Sequence, residues 1–181
     1  ARIVRALAHD AGIGLVVAGR RPSGAGVETL ALDYGAADFA TRLRDAGPDL
    51  VIHTVGPFQG QGYHVARAAI GAGAHYLDLA DGRAFLCGID ALDAEARTRG
   101  VVVASGASTL PAVSGAVLDA IAPRYATIES IDIVIAPGQR TPRGRATIEA
   151  VLSYCGRPFR VLDYGAWREA HGLLDLRRVA L

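Results

Sequence analysis

The residues best equipped for chemistry follow short apolar runs. Ligands of open α/β sheets bind beyond the carboxyl ends of strands, so such positions are candidates by placement. Gly19, Arg20, Arg21 and Pro22 close the run IGLVVAGR. A guanidinium offers planar paired donors and stays charged, which suits a phosphate. At the end of the second strand of a dinucleotide fold, an acidic residue would take the ribose 2′-hydroxyl of NAD. An arginine there accommodates the 2′-phosphate of NADP. The alternative is a turn with two solvated arginines. Asp33 closes the run ETLALD; its carboxylate suits an adenine amino group or, equally, a local turn. Thr54, Val55, Gly56, Pro57 and Phe58 close DLVIHTV. The Gly-Pro pair lets backbone approach a cofactor that Phe58 would cover; the alternative is a rigid turn with a core aromatic.

Tyr63, Asp78 and Asp81 form the polar group expected at the same sheet edge. A phenol or carboxylate there would handle a proton at a substrate amine or carbonyl, and Tyr63 and Asp81 are the candidate catalytic pair. Turn and capping roles are the competing reading. Gly60-Gln61-Gly62 offers a second phosphate-loop register, with Asp78 as the ribose carboxylate. It is a partial motif, because Val65 stands where the third glycine belongs. His53 alternates with apolar residues and reads as a core histidine; His64 and His75 read as surface residues. No spacing suggests a metal site. Ser105-Gly106-Ala107-Ser108 lacks the G-x-S-x-G pattern of a nucleophile elbow. Arg140, Arg143 and Arg145 read as a solvated basic loop.

These positions need a frame, and the chain supplies an alternating one. Helical patterns are expected at 1–8, 36–46, 60–73, 89–99 and 110–121, and strands at 14–20, 28–33, 49–55, 75–80 and 101–105. Phe39, Leu43 and Ala46 share one helix face, as do Val65, Ala68, Ala69 and Ala72. Strands alternating with helices indicate βαβ units and a parallel sheet, an α/β Rossmann-type arrangement. After Pro123 the period changes to two, with Ile128, Ile131, Ile133 and Ile135 alternating over Tyr125–Ala136, which predicts one long strand. A helix over Thr147–Tyr154 and strands over Phe159–Tyr164 and Leu173–Val179 complete the start of a mixed-sheet α+β domain. The expected division is 1–124 and 125–181. The opening helix comes where a dinucleotide fold has already passed its first strand and glycine-rich loop, so the chain reads as a fragment that lacks them.

Composition excludes more than it selects. The 181 residues are 51% hydrophobic with net charge +1, which gives no electrostatic reason to expect nucleic acid or an anionic membrane. Val101–Ala122 carries only Asp119 as a charge, but the Ser-Gly-Ala-Ser run and Pro111 divide it, so no spanning helix is expected. Cys87 and Cys155 fit neither a disulfide framework nor a zinc site, and point to a reducing, cytoplasmic compartment.

The runs VIHTVGPFQGQGYHVARAAIGAGAHYLDLADG and VVVASGASTLPAVSGAVLDAI resemble the saccharopine dehydrogenase-like family of NADP-binding oxidoreductases. GPF after one strand, YLDLADG after the next and SGAS-x-x-P-A after the last carry the resemblance. PRGRATIEAVLSYCGRPF and the Gly-Ala-Trp at 165–167 resemble the family's second domain. The resemblance implies an NADP(H)-binding domain with contacts at Arg20, Asp33 and Thr54 to Phe58. It also implies a mixed sheet that builds the substrate site and often a homodimer contact. The expected activity is hydride transfer to or from a small, amino-acid-like substrate. A non-catalytic NADP-binding scaffold is the alternative. Epimerases and short-chain reductases with a Tyr-x-x-x-Lys pair are disfavoured, because every basic residue other than histidine is an arginine.

Overall fold

The computed structural model describes residues 2–24, 26–136, 138, 140–142 and 144–174. It is a mixed α/β chain with parallel sheets and one antiparallel hairpin. The chain divides into two compact units. The first takes Ala1–Val51, Tyr63–Tyr76 and Ala94–Val102; the second takes Ile52–Gly62, Leu77–Asp93 and Val103–Leu181.

The helix α1 (Arg2–Leu7) precedes a parallel pair, β1 (Val16–Gly19) and β2 (Glu28–Ala31), in register from Val16↔Glu28 to Gly19↔Ala31. In α2 (Phe39–Asp45) the residues Phe39 and Leu43 are one turn apart and both buried. They face α3 (His64–Ala72), which buries Val65, Ala66, Ala68, Ala69 and Ile70. This is the apolar stripe of a helix laid on a core. The small alanines of α3 let neighbouring backbone approach closely. Gly73 ends α3 in the left-handed conformation (φ 76°). Its N–H reaches the Ile70 carbonyl and that of Ala74 reaches Ala69, a paired cap for which glycine carries no steric cost.

The strands β3 (Leu50–His53), β4 (His75–Asp78) and β5 (Val103–Ala104) form a parallel sheet in that order. In β4, Tyr76 and Asp78 are buried. A short helix that the sequence pattern did not single out, α4 (Arg83–Cys87), follows β4. One 3-10 turn over Ile89–Leu92 then leads into α5 (Asp93–Arg99). After β5, an irregular turn at Thr109–Val113 opens α6 (Ser114–Ile121).

The remainder of the second unit contains α7 (Arg145–Leu152) and a hairpin of β6 (Pro158–Asp163) and β7 (Ala166–His171). Its two-residue turn, Tyr164-Gly165, has positive φ at both positions (48° and 75°), the backbone that matches the twist of paired strands. The second strand of this pair therefore runs over Ala166–His171 and not over Leu173–Val179. Leu173 and Leu174 lie in a turn, and residues 175–179 fall outside those described. The expected strand over Tyr125–Ala136 is not formed either: among the described residues the segment has no ladder partner. Alternation selects the residues for a sheet face, but a strand exists only where a neighbour takes its N–H and C=O groups.

Candidate functional site

The loops after the parallel strands carry the candidate residues, and each unit holds its own set. In the first unit, β1 and β2 end side by side. The Leu32 N–H donates to the Gly19 carbonyl at 2.9 Å, so Gly19-Arg20 and Leu32-Asp33 leave the sheet as neighbours. Arg20 and Arg21 are exposed. The Asp33 carboxylate accepts the Gly35 N–H at 3.0 Å, an Asx turn that orients the loop. Arg42 of α2 donates to the Ala31 carbonyl, tying the helix to the end of β2. Tyr63, half-buried, holds the N-cap position of α3 without a side-chain cap bond. His64 stacks on Tyr34 with ring centroids 5.6 Å apart. The exposed His75 accepts the Val102 N–H through Nδ1 at 2.9 Å, so both histidines are surface residues with packing or bonding roles.

In the second unit three loops are tied into one cluster. Thr54 is exposed, Gly56 and Pro57 are half-buried, and Phe58 is buried. Phe58 meets His53 edge-on at 5.1 Å and Phe85 of α4 at 5.3 Å. Its ring therefore belongs to the core, and the loop offers a ligand its backbone rather than this aromatic face. Gln61 donates to the Val55 and Pro57 carbonyls at 2.9 and 2.6 Å, which fixes the Gly-Pro turn. Gln59 donates to the exposed Asp81 at 3.2 Å, joining the loops after β3 and β4.

The best-defined polar centre is Asp78, at 0% exposure. Its carboxylate accepts the Ala80 N–H at 2.9 Å, the Gly106 N–H at 2.9 Å and the Ser105 hydroxyl at 2.8 Å. Its carbonyl accepts the Ala107 N–H at 2.8 Å. A buried charge without hydrogen bonds is costly, and here three donors converge on it. Ser108 adds hydrogen bonds to the Ala80 and Leu110 carbonyls. Asp78 is thus a brace that aligns the loops after β4 and β5, a role that neither the ribose nor the proton-transfer reading foresaw. The signal in the sequence was a carboxylate that closes the strand after Tyr76 and Leu77.

Tyr63 belongs to the first unit and Asp81 to the second. In the basic loop, Arg145 pairs with Glu149 at 2.6 Å, one helical turn on. That hydrogen bond and charge raise the guanidinium's already high pKa, so Arg145 is an ordinary helix-surface ion pair. Arg143 lies outside the described residues. Among the described residues, no three His, Cys, Asp or Glu side chains stand close enough together to hold a metal ion. Both cysteines are exposed free thiols. No helix of the described residues is long and apolar enough to cross a membrane. No protein-family model matches the chain, and no curated protein matches it either.

Proposed function

We propose that this chain carries part of an NADP-dependent oxidoreductase that transfers a hydride to or from a small, amino-acid-like substrate. One observation carries the reading: the candidate residues leave the carboxyl ends of parallel strands whose pairing groups are β2–β1 and β3–β4–β5. Ligands of open α/β sheets bind beyond the carboxyl ends of such strands. Arg20 then stands at the ribose end of the dinucleotide, and its guanidinium suits a 2′-phosphate. Asp33 faces the adenine, while the backbone of Thr54 to Phe58 borders the nicotinamide. NADPH supplies the hydride when bound; the chain's own groups bind, orient and exclude water. Of the two candidate proton-holding groups, Asp81 shares the second unit with the Thr54 to Phe58 loop, to which Gln59 joins it.

The test is cofactor titration of the protein expressed from its complete reading frame. NADPH should bind in preference to NADH. Arg20→Ala should weaken NADPH binding about 10- to 100-fold, the worth of a charged hydrogen-bonded contact, with little effect on NADH. Absence of NADPH binding, or an Arg20→Ala variant that retains the preference, refutes the proposal. A scaffold would bind NADPH yet oxidise it with no carbonyl or imine substrate.

A further inference from the structure

Trp167 of β7 has two guanidinium groups over its ring. The central carbon of Arg83 lies 5.4 Å from the ring centroid and that of Arg160 5.0 Å. Arg160 comes from β6, where the register Arg160↔Glu169 and Leu162↔Trp167 makes it the diagonal neighbour of Trp167. Such neighbours are within reach of long side chains. Arg83 is the first residue of α4, two residues beyond Asp81, and also donates to the Arg160 carbonyl. All three residues belong to the second unit.

The two positive charges sit within about one Debye length, ~10 Å, of each other. Neither is paired with a carboxylate among the described residues. On the same hairpin Asp163 pairs with Arg168 at 3.5 Å, and Glu169, opposite Arg160 in the ladder, lies 3.7 Å from His171. Asp81 accepts from Gln59. Cation–π contact holds a guanidinium on an indole, and here two guanidinium groups share one ring. It also restrains both side chains before any ligand arrives, which lowers the ordering cost of binding.

We propose that Arg83 and Arg160, held against Trp167, form a subsite for a carboxylate of a small organic acid. The planar fork of a guanidinium edge matches the two oxygens of a planar carboxylate. A carboxylate between them replaces the repulsion of two like charges with two charge-assisted contacts. As an anion site this stands on the geometry alone. As the anchor for an amino-acid-like substrate it rests on the oxidoreductase reading above.

Trp167 is the chain's single tryptophan, so its emission reports directly on the site. Titration with glutarate at constant ionic strength should give a saturable change in emission, and the neutral diamide of the same length should give none. Arg83→Gln and Arg160→Gln should each weaken glutarate binding about tenfold or more. Arg168→Gln, on the same hairpin, should leave it unchanged. Absence of saturation, or a variant at Arg83 or Arg160 that binds glutarate as tightly as the wild type, overturns the subsite. Inorganic phosphate that competes as well as glutarate overturns its assignment to carboxylates. Should Arg160→Gln unfold the hairpin, calorimetry of the wild-type protein with glutarate against the diamide decides the same question. Running each titration with and without NADPH separates the two proposals: a carboxylate site that persists where NADPH does not bind sinks only the cofactor reading.

Discussion

At the scale of single residues, Asp78 shows how a fully buried carboxylate can be a structural element. It accepts from Ala80, Ser105 and Gly106 while its own carbonyl accepts from Ala107. Replacing it by alanine removes the oxygen that accepts from Ala80, Gly106 and Ser105 and leaves the two buried N–H groups without a partner. Asp78→Ala should therefore destabilise the chain by about 2–3 kcal/mol, as leaving buried donors unsatisfied does, read from urea unfolding midpoints. The exposed Asp81→Asn change should stay within about 0.5 kcal/mol on the same assay. Equal stability losses for the two would show that the Asp78 contacts are not the brace described.

At the scale of elements, the loop after β5 depends on backbone that only glycine adopts readily. Gly106 has φ +86°, and a Cβ there would lie 2.8 Å from Leu86 and from two ring carbons of Pro111. Gly106→Ala should thus cost about 2–4 kcal/mol, through strain and overpacking together. Gly71, inside α3, is the opposite case: it is exposed, and a Cβ there meets nothing within 4 Å. Gly71→Ala should stabilise by about 0.5–1 kcal/mol, because alanine loses less backbone entropy in a helix. Thermal melts of the two variants should move in opposite directions from the wild type, and a shared direction would contradict this account of α3 and the β5 loop.

At the scale of the whole molecule, much apolar surface faces outward. Ile131, Ile133 and Ile135 are 51%, 46% and 54% exposed. With α6 they border a groove of about 670 Å³ whose wall includes Val113, Val117 and Ile121. Contiguous exposed apolar surface on this scale attracts apolar probes and promotes association. Ile131→Ser and Ile133→Ser together should reduce binding of the dye ANS and the light scattering of concentrated solutions. The unfolding free energy should change by no more than about 0.5 kcal/mol, because these side chains are not in the core. A large loss of stability would mean that the segment packs where the structure leaves it open.

The residue pattern alone determined the alternation of parallel strands and helices, the buried faces of α2 and α3, and the positions of Arg20, Asp33 and Thr54 to Phe58 at strand ends. Those features are local: spacing chooses which side chains share a face, and glycine and proline mark where an element stops. The tertiary structure alone decided which polar groups meet. Asp78 and Ser105 are 27 residues apart, and Arg83 and Arg160 are 77 apart; no periodicity relates such pairs. It also decided that Tyr125–Ala136 joins no sheet among the described residues, and that Ala166–His171 is the strand that joins β6. A strand is a property of two chain segments, so alternation in one of them names a candidate and the partner's backbone settles the outcome.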